Sequence, residues 1–211
     1  MKSHLIRRVA LLFLIVQFAA CSDEHAQLTP LNNDAIILAF GDSLTYGTGV
    51  NSATQSYPAV LAELTGLTVI NKGIPGEISK LGLERLVDIM QEFSPDLVIL
   101  CHGGNDLIRK LGKEQLKTNL DKMITLIQDS GAEVVLIGVP NFSLMLNVPK
   151  LYSDLAKQYD IPLELSILSK IERNPKLKSD QIHPNVQGYK LMAEKINLLL
   201  EKSGALEPLT P

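Results

Sequence analysis

The sequence predicts a single α/β domain in which a parallel sheet lies between layers of helices. Two observations carry this. Apolar runs such as Ala35-Ile36-Ile37-Leu38-Ala39-Phe40 and Val134-Val135-Leu136-Ile137 are uniform rather than alternating, as strands covered on both faces are. Amphipathic stretches of helical length separate the runs, and strand–helix alternation at this spacing indicates βαβ units. The 211 residues, 45% apolar and 20% charged, suffice for one sizeable core and exclude a largely disordered chain.

Taken in order, residues 35–40 form the first strand and 56–64 the first helix. The run at 67–71 is the second strand, followed by a helix over 79–92. A third strand at 96–101 ends in Cys101, and a helix spans 113–129. The fourth strand, 133–138, precedes a helix at 150–159, and a short strand lies near 162–165. The last helix occupies 185–202, where Pro184 pre-sets φ for its start. Right-handed crossovers place every strand's carboxyl end on one edge, where ligand sites form. No internal repeat or low-complexity segment interrupts this plan.

The first twenty residues read as an export signal. Lys2, Arg7 and Arg8 make a positive start, Val9 to Ala20 is apolar but for Gln17, and small residues close it. The stretch is short against the ~20 residues of a membrane span. Phe18-Ala19-Ala20-Cys21 resembles a bacterial lipobox, which implies that Cys21 is lipidated; Ser22 after it favours an outer-membrane destination in a Gram-negative source. Residues 21–33 would then be a lipidated tether and 34–205 the domain. Without Lys2, Arg7 and Arg8 the chain carries 17 basic against 23 acidic side chains, a balance of −6. A mildly acidic body with no basic run argues against nucleic acid as a partner. Only Cys101 remains besides Cys21, so no internal disulfide is expected, and Cys101 reads as a buried small hydrophobe.

Four segments follow strand ends or open the last helix, and each alone is a common loop pattern. Gly41-Asp42-Ser43-Leu44 places a serine at a strand's carboxyl end, where Gly41 permits a sharp turn. Asp180-Gln181-Ile182-His183-Pro184 holds a histidine at a helix start, with an acid three residues earlier to orient its imidazole. The loop containing Gly73 and Gly76, and Gly103-Gly104-Asn105-Asp106, supply glycine N–H groups and an asparagine amide suited to an oxyanion hole. His102 is a rival base by position, but lacks an acid three residues earlier and a following proline.

In this order and context the segments resemble the GDSL, or SGNH, hydrolases, over roughly residues 35–200. The periplasmic acyl thioesterase/lysophospholipase/arylesterase group is the nearest likeness. The resemblance implies a flavodoxin-like three-layer α/β/α sandwich with about five parallel strands. It implies Ser43 as nucleophile, His183 as general base and acid, and Asp180 as its orienter. Ser43 N–H, Gly76 N–H and Asn105 would form the oxyanion hole. Ile78 stands where close relatives usually carry Thr, and Cys101-His102 replaces other residues before the third segment.

The expected chemistry is hydrolysis of acyl esters, possible substrates being lysophospholipids, aryl esters and acyl thioesters, with no cofactor and no metal. No H-E-x-x-H or His/Cys cluster has ligand spacing, and Gly47-Thr48-Gly49 lacks the third glycine of a nucleotide loop. A carbohydrate O-acetyl esterase is the alternative enzyme, weakened by 5% aromatics and no Trp for stacking on sugars. A non-catalytic envelope binding protein is the alternative outside enzymes. The apolar stretch from Asn141 to Val148 either lines an acyl pocket or packs as a short buried helix.

Overall fold

The computed structural model describes residues 26–142 and 145–207. The signal at 1–20, Cys21, Ser22 and Leu144 lie outside the described residues. Five strands pair in the order β2-β1-β3-β4-β5, all parallel. They are β1 (Ile36–Gly41), β2 (Thr68–Gly73), β3 (Leu97–Cys101), β4 (Glu133–Ile137) and β5 (Leu163–Glu164). Each lies within two residues of its sequence expectation at either end. Every residue of β3 is buried, as are Val134 to Ile137 of β4, which is why these runs carry no polar alternation.

The long helices are α3 (Tyr57–Thr65), α4 (Ser79–Phe93), α6 (Lys113–Asp129), α7 (Lys150–Tyr159) and α9 (Val186–Lys202). On one side of the sheet α3 packs on α9; on the other α4 packs on α6, which meets α7. This is the expected three-layer sandwich. Phe40, Tyr57, Tyr152 and Tyr189 are fully buried within it.

Four short helices escaped the sequence reading: α1 (Ser43–Tyr46), α2 (Ser52–Gln55), α5 (Gly104–Ile108) and α8 (Ile167–Glu172). Four to six residues cannot display a helical period, and such pieces are stable only through caps and packing. Asp42 caps α1 by accepting from the Leu44 N–H, and Asn51 caps α2 through the Ala53 N–H. The described part of the 141–148 stretch forms no helix, and Met145 is exposed.

The chain joins the fold earlier than residue 34. Leu28 is buried and its N–H donates to Ser203 O, while Thr29 donates to Glu133 Oε1 at the start of β4. Both partners stand at the edge opposite the strands' carboxyl ends. The two ends of α9 are about 25 Å apart at 1.5 Å per residue, and Leu28 docks at its far end from His183.

Candidate active site

Gly41 ends β1 in close contact with β3. A Cβ there would stand 2.1 Å from Cys101 O and 2.4 Å from Thr45 Oγ1. The chain then turns through Asp42 into α1, whose first residue is Ser43. Asp42 is buried and accepts from the Leu44 N–H at 3.1 Å. Burial, first among the influences on it, raises its carboxyl above the ordinary range.

His183 approaches from the loop before α9. Asn185 caps that helix by accepting from the Gly188 N–H, and donates to Lys176 O and Lys178 O. Ser179 N–H donates to His183 O at 2.9 Å, closing the loop on itself. Asp180 Oδ1 accepts from the Ile182 and His183 N–H groups, both at 2.8 Å, and Oδ2 stands 2.7 Å from His183 Nδ1. With Nδ1–H directed at the carboxylate, the neutral ring turns its Nε2 lone pair to Ser43 Oγ, 2.9 Å away. Burial opposes ionisation of Asp180, but the hydrogen bonds from His183 and Ile182 outweigh it and hold the carboxyl at about 2.

The structure brings Ser43, Gly76, Asn105 and His183 to one cavity of about 210 Å³. Gly76 has φ +79°, in the left-handed region, and Arg109 donates to its carbonyl at 2.9 Å. Among the described residues nothing accepts from the Gly76 or Ser43 N–H groups. Asn105 Nδ2 donates to Glu77 O at 3.0 Å; its other contact, 3.4 Å to Asp42 Oδ2, is long for a hydrogen bond. A larger cavity of about 930 Å³ adjoins this one, sharing Ile108, Phe142 and Ile182, and extends over Leu107 and Leu146.

His102, the rival base, is fully buried and turned elsewhere. Its two ring nitrogens engage Glu77 and the Gly103 N–H. The buried Glu77 also binds Arg85, a pairing the sequence reading missed because a separation of eight residues from a loop into a helix matches no local template. Burial opposes ionisation of Glu77, while hydrogen bonds from His102 and Arg85 lower its carboxyl below the ordinary value. Asp106 likewise serves structure: it accepts from Ser79 N–H and Oγ, capping α4 from the first turn of α5. Among the described residues no group of three or more His, Cys, Asp or Glu side chains could hold a metal.

Residues 39–191 match the model of the GDSL-like lipase/acylhydrolase family. An arylesterase of Vibrio mimicus is 31% identical over 169 residues, covering 75% of this chain and 84% of the relative. The thioesterase 1/protease 1/lysophospholipase L1 of Escherichia coli is 29% identical over 166 residues, covering 75% and 79%. The crystal structure of TesA superposes with a TM-score of 0.71 at 26% identity, over 79% of this chain and 98% of that one.

The Asp180 contacts set a pH dependence of stability. A folded carboxyl at about 2 against an ordinary 3.8 contributes stability above about pH 4 that is lost as pH falls through about 2. The side chain is 52% exposed, so solvent screening holds the effect to about 1 kcal/mol or less. Thermal melts of the native protein and Asp180→Asn should therefore differ at pH 6 and converge towards pH 2. A constant difference across that range would mean that the charge of Asp180 does not contribute.

Proposed function

The chain belongs to the GDSL-like lipase/acylhydrolase family and is an esterase of that family, and we propose that Ser43, His183 and Asp180 are its catalytic triad. The contacts of 2.9 Å and 2.7 Å that link the three side chains carry this reading. Ser43 Oγ attacks the ester carbonyl carbon while His183 Nε2 takes its proton. Asp180 stabilises the imidazolium that results. The carbonyl oxygen, now negative, is met by the Ser43 and Gly76 N–H groups and by the Asn105 amide. Collapse breaks the bond to the leaving oxygen or sulfur, which receives the proton from His183. Water then attacks the acyl-enzyme by the same route and releases the acid.

The substrate we propose is a small acyl ester, with lysophospholipids, aryl esters and acyl thioesters within reach. The activities in the names of the two relatives support that range. The adjoining cavity supports it as well, since its Leu107, Ile108, Phe142 and Leu146 suit an acyl or aryl group. Phe142 is the one aromatic residue lining either cavity among the described residues, which disfavours a stacking platform for an acetylated glycan.

Export and lipidation at Cys21 complete the proposal. Chain from residue 21 to residue 26 spans at most about 18 Å, and it enters the fold at the edge remote from Ser43. An anchored enzyme would thus open away from its own membrane and take substrate from the aqueous side. Among the described residues no helix is long and apolar enough to cross a membrane.

Two experiments test these readings. Against p-nitrophenyl esters from acetyl to palmitoyl, Ser43→Ala should lose at least about 10⁴-fold in kcat and Asn105→Ala about 10²–10³-fold. Undiminished hydrolysis by Ser43→Ala would remove the triad assignment. In cells, Cys21→Ser should leave the membrane fraction with unchanged kcat/KM on a soluble ester. Its retention with the membrane would rule out lipid anchoring as what holds it there.

A further inference from the structure

The buried Glu77 and His102 and the partly buried Arg85 form a polar cluster that no step of acyl transfer uses. Glu77 is 6% exposed and His102 0%. Arg85 grips both carboxylate oxygens of Glu77, Nε at 2.7 Å and a terminal nitrogen at 2.8 Å, and donates to Lys72 O at 2.7 Å. Its guanidinium lies over the Phe40 ring at 4.0 Å. His102 Nδ1 accepts from the Gly103 N–H at 2.9 Å. An accepting nitrogen carries no proton, so the neutral ring has its hydrogen on Nε2, which stands 3.1 Å from Glu77 Oε2 and donates to it. The approach requires Gly82, where a Cβ would fall 2.4 Å from that nitrogen. Tyr152 Oη fixes the same residue from below by donating to His102 O at 2.8 Å.

One imidazole therefore joins two loops. Gly103 lies two residues before Asn105, and Glu77 follows Gly76 directly. The Glu77 carbonyl in turn accepts from Asn105 Nδ2 at 3.0 Å. We infer that His102 is a positioning residue: by bonding both loops it sets the separation between the Gly76 N–H and the Asn105 amide, so that the two converge on one oxyanion. The inference rests on the triad and oxyanion hole proposed above. His102 has no contact with Ser43 and is not itself catalytic. An apolar side chain of similar size could fill its space, and Arg85 would still hold both carboxylate oxygens of Glu77. Such a side chain could not supply the two directed bonds.

The test is a cycle of variants assayed on p-nitrophenyl butyrate. His102→Leu should lower kcat about 10–100-fold, as a small displacement of catalytic groups does, with KM within about twofold. His102→Gln, which keeps a donor towards Glu77, should recover most of the loss. Added to Asn105→Ala, whose oxyanion hole is already broken, His102→Leu should cost less than about threefold. Should His102→Leu fail to fold, His102→Asn replaces it with the same expected losses, because it can accept from Gly103 but cannot reach Glu77. Losses that multiply in the double variant, a loss confined to KM, or an unchanged rate would each overturn the assignment. Ser43→Ala, run alongside, separates the two claims. Full activity in it removes the triad and oxyanion-hole reading and the role of His102 together. An inactive Ser43→Ala beside wild-type rates in the His102 variants removes the latter alone.

Discussion

The close approach of β1 to its neighbours at Gly41 is the constraint on which the site depends. No side chain fits between Gly41 and Cys101 O, and a Cβ on Gly73, its register partner in β2, would fall 2.1 Å from Tyr46 N. These two glycines let α1 settle directly on the carboxyl edge of the sheet. Ser43, at its first turn, is thereby fixed relative to the loops leaving β2 and β3. Bulk at either position would lift Ser43 away from Gly76 and Asn105, whatever its effect on the core.

Around that edge the fold buries charge and satisfies it. Asp42, Glu77, Arg85 and Asp106 are drawn in among apolar neighbours, where an unpaired charge would cost several kcal/mol. Each has partners: the Leu44 N–H for Asp42, Arg85 and His102 for Glu77, Ser79 for Asp106. The Asp42 bond is local, whereas those of Glu77 and Asp106 tie the segments after β2 and β3 to each other and to α4. They hold irregular segments in one arrangement without strands or long helices, which is what preorganised oxyanion stabilisation requires. Asp180 stands apart in being exposed; bonds within its own loop, from the Ile182 and His183 N–H groups, keep it ionised.

How much of this the sequence disclosed follows from range. The strands were legible because uniform apolar runs have one explanation in a chain of this composition, and the bounds of α6 and α7 agreed to the residue. Asp180 and His183 were legible because three residues suffice to bring acid and imidazole together. Ser43, Gly76 and Asn105 stood out through family likeness, since no local rule links positions 29 and more apart. The cluster of Glu77, Arg85 and His102 was not legible. His102 drew notice as a competing base, whereas the structure commits one nitrogen to its neighbour Gly103 and the other to Glu77 in the facing loop. That use depends on the absence of a side chain at Gly82, in a helix, and no spacing rule connects the two.

The central claim is that Ser43 is a nucleophile activated by His183. Intact-mass and peptide analysis after treatment with a fluorophosphonate tests it most directly, because such a reagent phosphonylates only an activated hydroxyl and needs no knowledge of the substrate. The account predicts one adduct per chain, located on Ser43, and its disappearance in His183→Ala. An adduct on another residue, or equal labelling of Ser43 without the imidazole, would contradict it.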